Sequence, residues 1–338
     1  MDPRLAVNLL SDRLAALPLA ILYVTDRCNS RCVMCDYWQH GQTNLPVPAA
    51  ERLAPELRAL GTRVVLLSGG EPLVHPEWDS IAAALRRAGL RVWLLTAGLS
   101  LARHAERAAE LCERVTVSLD GATPETYRAI RGVDGFATVC AGVRAVAERG
   151  TPVGVRCTVQ RGNYEELPAL VRLARSLGAA SVSFLAVDVS THVAFARAAD
   201  YQRDQALGRD DLPRFGAVLD ALEREHAADF AAGFILERPA KLRRLHAYFA
   251  ALLGEGDFPP VACNAPRFSV VIGADGQLQP CYFIAGTERL NGQPLAAALN
   301  TPTAVGLRRA IRTGGRAECQ RCVCSMQRGA RALLGGQL

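Results

Sequence analysis

The sequence predicts an α/β fold built on a parallel sheet, and three observations carry that expectation. Short β-rich runs alternate regularly with Ala-, Leu- and Arg-rich helical stretches through roughly the first 190 residues. Two of the runs, 115–120 and 153–160, place polar and apolar residues on opposite faces. Half of the 338 residues are hydrophobic, so a large buried core is available. This rhythm is met equally by an open doubly wound sheet and by a barrel.

Residues 1–18 read as a helical N-terminal segment that contains acids and lacks the continuous apolar run of a secretory signal. Strands are expected at 19–25, 63–69, 91–97, 114–119, 152–159 and 181–187. Helices are expected at 49–60, 77–88, 101–111, 136–149 and 164–177. In the fourth strand Thr116, Ser118 and Asp120 oppose Val115, Val117 and Leu119; in the fifth, Arg156, Thr158 and Gln160 oppose Val153, Val155, Cys157 and Val159. If helices cover the apolar faces, Ser118, Asp120, Arg156 and Thr158 point inward around a ligand. Ser and Asp suit ribose hydroxyls, and Arg suits a carboxylate. A sheet with one wet face would show the same alternation.

The chemistry is concentrated just after the first strand, where Cys28, Cys32 and Cys35 follow a CxxxCxxC spacing. Three thiolates from one loop can hold three irons of a 4Fe-4S cluster and leave the fourth iron open to a ligand. A structural zinc site, the alternative, would need a fourth nearby Cys or His, and His40 is the residue within reach. After the second strand comes Ser68-Gly69-Gly70-Glu71-Pro72, whose paired glycines allow close backbone approach.

These two motifs together resemble the radical S-adenosylmethionine (radical SAM) superfamily. The resemblance implies a partial (β/α)6 TIM-like barrel over 19–190, with its site at the carboxyl ends of the strands. It implies a 4Fe-4S cluster on Cys28, Cys32 and Cys35, and S-adenosylmethionine chelating the open iron, with residues 68–72 engaging its methionine amino group. Reductive cleavage would then give a 5'-deoxyadenosyl radical that abstracts a substrate hydrogen. The run 117–132 resembles the fourth-strand region of the branch with SPASM or twitch domains, where the Ser118 and Asp120 positions lie near the ribose. The residue before the third cysteine is often aromatic in that family; here it is Met34, whose thioether can still meet an aromatic face, with Tyr37 or Trp38 nearby.

From 191 to 260 the alternation stops, and helices at 212–226 and 238–253 read as a bridge packed on the barrel. Within 261–338, Asp275-Gly276 marks a hairpin turn, and five cysteines, Cys263, Cys281, Cys319, Cys322 and Cys324, occupy a short segment. This small Cys-rich hairpin and helix domain resembles a twitch or shortened SPASM domain and implies a second, auxiliary 4Fe-4S cluster. The expected ligands are Cys263, Cys281, Cys319 and Cys322, leaving Cys324 as an alternative ligand or free thiol. A zinc ribbon uses similar spacing and remains open. Cys112, Cys140 and Cys157 read as small buried hydrophobes.

Eleven cysteines in a chain of this size without an export signal favour metal ligation over disulfides and a cytoplasmic location. The net charge of +6 comes almost wholly from arginine, with Lys241 the lone lysine, and no aromatic-rich basic patch suggests nucleic-acid binding. No apolar run is long enough to span a membrane. Arg308, Arg309, Arg312, Arg316, Arg321, Arg328 and Arg331 form either a solvated surface or a dock for an acidic electron donor such as flavodoxin or ferredoxin. The expected substrate is a small polar metabolite such as a sugar, cyclitol or nucleoside-like molecule, which would be oxidised or rearranged. Peptide modification is the second reading; an Fe-S redox sensor or scaffold without SAM chemistry is the alternative from another class.

Overall fold

The computed structural model describes residues 3–189, 191, 193, 204–324 and 326–329. In chain order the helices and strands are α1 (Arg4–Leu10), β1 (Leu19–Thr25), α2 (Tyr37–His40), α3 (Val47–Ala59), β2 (Val64–Gly69), α4 (Trp78–Arg87), β3 (Arg91–Thr96), α5 (Ala105–Leu111) and β4 (Arg114–Ser118). They continue with α6 (Pro124–Arg131), α7 (Phe136–Ala147), β5 (Val153–Val159), α8 (Leu167–Ser176), β6 (Ser181–Ala186), α9 (Asp211–Glu225), α10 (Ala227–Ala231) and α11 (Pro239–Leu252). The C-terminal part adds β7 (Ser269–Ile272), β8 (Gln277–Gln279), β9 (Glu288–Arg289), α12 (Leu295–Ala298), α13 (Pro302–Arg312) and α14 (Ala317–Gln320).

Strands β1 to β6 pair in parallel in sequence order, and β6 does not pair with β1, so the barrel is open. The alternation seen in the sequence sorts the two faces. Val65, Leu67, Val92, Leu94, Val115, Val117, Val155, Val159, Val182 and Phe184 all join the large core beneath the helices. The opposite face carries half-buried Thr116, Ser118, Arg156 and Thr158. On β1 the same rule sends Ala20, Leu22 and Val24 to the helical side, and Ile21 and Tyr23 to a smaller inner cluster with Val271, Tyr37, Leu66 and Tyr282.

One long-range pairing was not legible in the sequence. β7 adds in parallel to the free edge of β1, with Ile21 opposite Val271, and β8 and β9 continue antiparallel to make one nine-stranded sheet. An exposed β1 edge would leave unpaired backbone groups, and β7 satisfies them. The sheet therefore runs through the division expected near residue 261. The Asp275-Gly276 turn forms as expected, with Gly276 in the left-handed region at φ 81. Asn8 further ties the two ends of the chain, its side-chain amide donating to the carbonyls of Ala16 and Arg267 at 2.6 and 2.7 Å.

Within the expected bridge, 191–260, residues 192 and 194–203 lie outside the described residues. Among the described residues no helix is long and apolar enough to cross a membrane.

Candidate active site

The cysteine loop leaves the carboxyl end of β1 and is pinned from three sides. Gly70 N–H donates to Thr25 O and Glu71 N–H to Arg27 O, both at 2.8 Å, so the two sequence motifs are bonded directly to each other. A Cβ on Gly70 would lie 2.2 Å from Arg27 O, so only glycine allows this approach. On the second side, Thr43 N–H donates to Asp26 Oδ1 at 2.6 Å, and Thr25 Oγ1 donates to Asn44 Oδ1 at 2.7 Å. On the third, Arg31 N–H and Val33 N–H donate to Arg131 O and Ile130 O at 2.9 and 3.0 Å, which seats the loop on the end of α6.

Within this frame Cys32 is buried, and Cys28 and Cys35 are half-buried. Burial pushes the Cys28 thiol up to about 12, opposed by the Ser30 N–H that donates to its sulfur at 3.5 Å. Burial also raises Cys32, and the Arg131 guanidinium opposes that rise. None of the eleven cysteines forms a disulfide. Among the described residues no three His, Cys, Asp or Glu side chains converge on a single metal-ion position. A 4Fe-4S cluster does not ask for that convergence, since each thiolate binds a different iron. The donor set of three soft thiolates on one rigidly held loop fits it. His40 is exposed at the end of α2.

The remaining expected residues divide by what they touch. Gly69, Gly70 and Pro72 sit where the motif leaves β2, with Ser68 at the strand end. The Glu71 carboxylate is fully buried and is committed to the protein, accepting from Leu73 N at 3.0 Å, Thr96 Oγ1 at 2.7 Å and Ala97 N at 2.5 Å. Asp120 is likewise engaged: its carboxylate accepts from Thr158 N at 2.6 Å and lies 3.2 Å from Arg131. Its Oδ2, next to that guanidinium, is buried and makes no hydrogen bond among the described residues. Met34 is buried in the large core, and Tyr37 stacks edge-on against Tyr23 with centroids 6.1 Å apart. Trp38 is exposed.

Ser118, Arg156 and Thr158 remain half-buried on the inner face, and Arg156 Nε donates to Ser183 Oγ at 3.3 Å. The Arg156 charge also acts on Cys324, Tyr282 and Glu237, which links the barrel interior to the C-terminal cysteines.

Those five cysteines share one neighbourhood. Burial pushes Cys281 up to about 12, with Cys263 and Cys319 adding to the rise. Burial also raises Cys322, which feels Cys324, Cys281 and Cys263. The Asn264 side chain closes the region, exchanging hydrogen bonds with the backbone of Arg328 at 2.8 and 2.9 Å. Cys112, Cys140 and Cys157 are buried in the core, as their sequence positions suggest.

Of the described arginines in the C-terminal segment, Arg308 is buried and the others are half-buried or exposed. Arg308 is buried and donates to Asp12 O and Leu299 O at 2.6 and 2.7 Å; Arg309 and Arg312 pair with the Asp12 carboxylate, and Arg316 pairs with Glu318. Arg321 lies over the Phe258 ring, and Arg331 falls outside the described residues.

Arg131 was missed in the sequence. The signal was present in Thr123-Pro124 and Gly132, an N-cap, a proline in the first turn and a left-handed C-terminal glycine that together define α6.

Comparison with known proteins agrees with this geometry. Residues 22–174 match the model of the Radical SAM superfamily. The chain is 36% identical over 167 residues to the AdoMet-dependent heme synthase of Methanosarcina barkeri, covering 46% of each chain. It is 34% identical over 191 residues to GTP 3',8-cyclase 1 of Mycobacterium tuberculosis, covering 52% of this chain and 53% of that one. It thus spans about half the length of these relatives. Streptococcus suis SuiB shares the fold: its structure bound to S-adenosylmethionine gives a TM-score of 0.68 at 14% identity over 96% of this chain and 76% of that one. The SuiB structure with the precursor peptide SuiA gives 0.65 at 16% identity, over 90% and 69%. The family match spans both motifs and the strands that carry them, so residues 22–174 form a radical SAM domain.

Proposed function

We propose that this enzyme oxidises or rearranges a small polar metabolite, with Cys28, Cys32 and Cys35 holding the SAM-binding cluster and the C-terminal cysteines an auxiliary one. When bound, the first cluster and S-adenosylmethionine supply hydrogen-atom abstraction through a 5'-deoxyadenosyl radical. The chain's own work is to position and to exclude solvent. Backbone groups of 68–72 receive the methionine end of the cosubstrate, and Ser118 and Thr158 offer hydroxyls on the inner face. Arg156 stands between that face and the C-terminal cysteines.

The observation that carries the reading is the half-buried polar inner face, where Arg156 Nε donates to Ser183 Oγ at 3.3 Å and Tyr282, next to Cys281, packs against Ile21, Tyr23 and Val271. A second redox group there would adjoin the reacting substrate and could take up an electron from it, making the net reaction an oxidation. The half-buried inner residues Thr116, Ser118, Arg156 and Thr158 favour a polar molecule. The relatives named for GTP and heme chemistry support a small-molecule substrate rather than a peptide.

The test is anaerobic reconstitution followed by reduction with S-adenosylmethionine. 5'-Deoxyadenosine should form, and should vanish in a Cys28→Ala/Cys32→Ala/Cys35→Ala variant that keeps about four irons, the content of one 4Fe-4S cluster. Intact S-adenosylmethionine with fully loaded iron would leave a redox sensor as the better reading. Zinc in place of residual iron would make the C-terminal site a ribbon.

A further inference from the structure

Arg131, which lies in neither motif, is a buried cation at the end of α6, against the cysteine loop. Its side chain is 8% exposed and the Asp120 side chain 1%. One terminal nitrogen lies 3.2 Å from Asp120 Oδ2, and the other donates to Ser118 O at 3.3 Å. The remaining donor, Nε, is buried and finds no acceptor among the described residues. Buried donors are normally satisfied, so this one points to a group that completes the site. Two further buried oxygens there, Ser30 Oγ and Asp120 Oδ2, also make no hydrogen bond among the described residues. The end of α6 is bonded to both neighbours of Cys32, Arg31 N–H donating to Arg131 O and Val33 N–H to Ile130 O, so the guanidinium is anchored beside that thiol.

We propose that Arg131 is a positioning residue for the cluster: its free Nε–H donates to the Cys32 thiolate, and its fixed charge, oriented by Asp120, raises the cluster's reduction potential. The proposal rests on Cys28, Cys32 and Cys35 being the cluster ligands. The physical reason is that the cluster becomes one unit more negative when it accepts an electron from the donor, and a cation at a ligand sulfur favours that state. Hydrogen bonds to cluster sulfurs act in the same direction. Arginine suits the place because its planar fork serves Asp120, Ser118 and a sulfur at once, which an ammonium cannot do in one geometry.

The test is an EPR-monitored redox titration of the reconstituted full chain, reading the signal that S-adenosylmethionine perturbs, in Asp120→Asn and Arg131→Lys. Asp120→Asn removes the compensating anion without changing shape, so the potential should rise; Arg131→Lys loses the fork, so it should fall. An unmoved or lowered potential in Asp120→Asn at full iron content overturns the proposal. If Asp120→Asn takes up no iron, Arg131→Lys decides, and an unchanged potential there overturns it. The triple-alanine cysteine variant separates the two levels: if it keeps all its iron, the ligand assignment itself has failed.

Discussion

The Glu71 carboxylate and the Thr96 hydroxyl meet at 2.7 Å, joining the carboxyl ends of β2 and β3 beneath the cosubstrate motif. The same carboxylate takes the N–H groups of Leu73 and Ala97. Glu71→Ala would strand three buried donors, each costing about 1–3 kcal/mol. We expect the apo-protein to lose roughly 3–5 kcal/mol in urea unfolding, at the high end for a single substitution. A variant of unchanged stability whose only loss is in S-adenosylmethionine affinity would assign the carboxylate to the cosubstrate instead.

Gly70 tests the contact between the two motifs. Its Cβ would sit 2.2 Å from Arg27 O, a backbone atom that cannot rotate away. Gly70→Ala should displace the start of the cysteine loop and lower iron at that site, while leaving the C-terminal iron in place. Iron analysis of the reconstituted variant, set beside the triple-alanine protein, reads this directly. Full iron loading would mean that the loop tolerates the shift.

What the sequence revealed, and what it hid, follows from the range of each interaction. β1 matches its expected span, 19–25, because a continuous apolar run bounded by Pro18 and the polar loop is a local fact. The inward direction of Ser118, Arg156 and Thr158 was legible for the same reason. The pairing of β7 with β1 was not, since Val271 and Ile21 share no pattern that names them as partners. Nor was the fate of Asp120: its place on the inner face was visible, but its cation comes from the far end of the next helix. Glu71 belongs to a recognisable motif, yet nothing local says that its oxygens are occupied by β3.

Asp12 and Arg312 make the attachment of α13 sensitive to acid. The hydrogen bond from Arg312 is the largest cause holding the Asp12 carboxyl below its ordinary 3.8. A depressed folded value means that the stabilisation is present above pH 3.8 and is lost as pH falls through the lower folded value. Asp12→Asn should therefore be less stable than the parent at pH 7, with the difference smaller at a pH below 3.8. Urea midpoints at both pH values check it. The same geometry predicts that Arg312→Gln weakens the fold without altering the salt dependence of reduction by flavodoxin. A loss of that dependence would return this surface to electron-donor docking.

Arg156 is the residue whose role separates cosubstrate from substrate. Its guanidinium is tied to Ser183 at 3.3 Å, and its charge reaches Cys324, Tyr282 and Glu237, all beyond the barrel strands. Arg156 is therefore expected to face the substrate. Arg156→Met should keep its iron, bind S-adenosylmethionine within about twofold of the parent, and still form 5'-deoxyadenosine without substrate, because less than ~0.5 kcal/mol of cosubstrate binding is at stake. Substrate turnover should fall by roughly ten- to a hundredfold, the range for losing a charge-assisted hydrogen bond. Equilibrium dialysis with S-adenosylmethionine decides the first half before any substrate is known, and a tenfold loss of affinity there, about 1.4 kcal/mol, would place the guanidinium on the cosubstrate carboxylate.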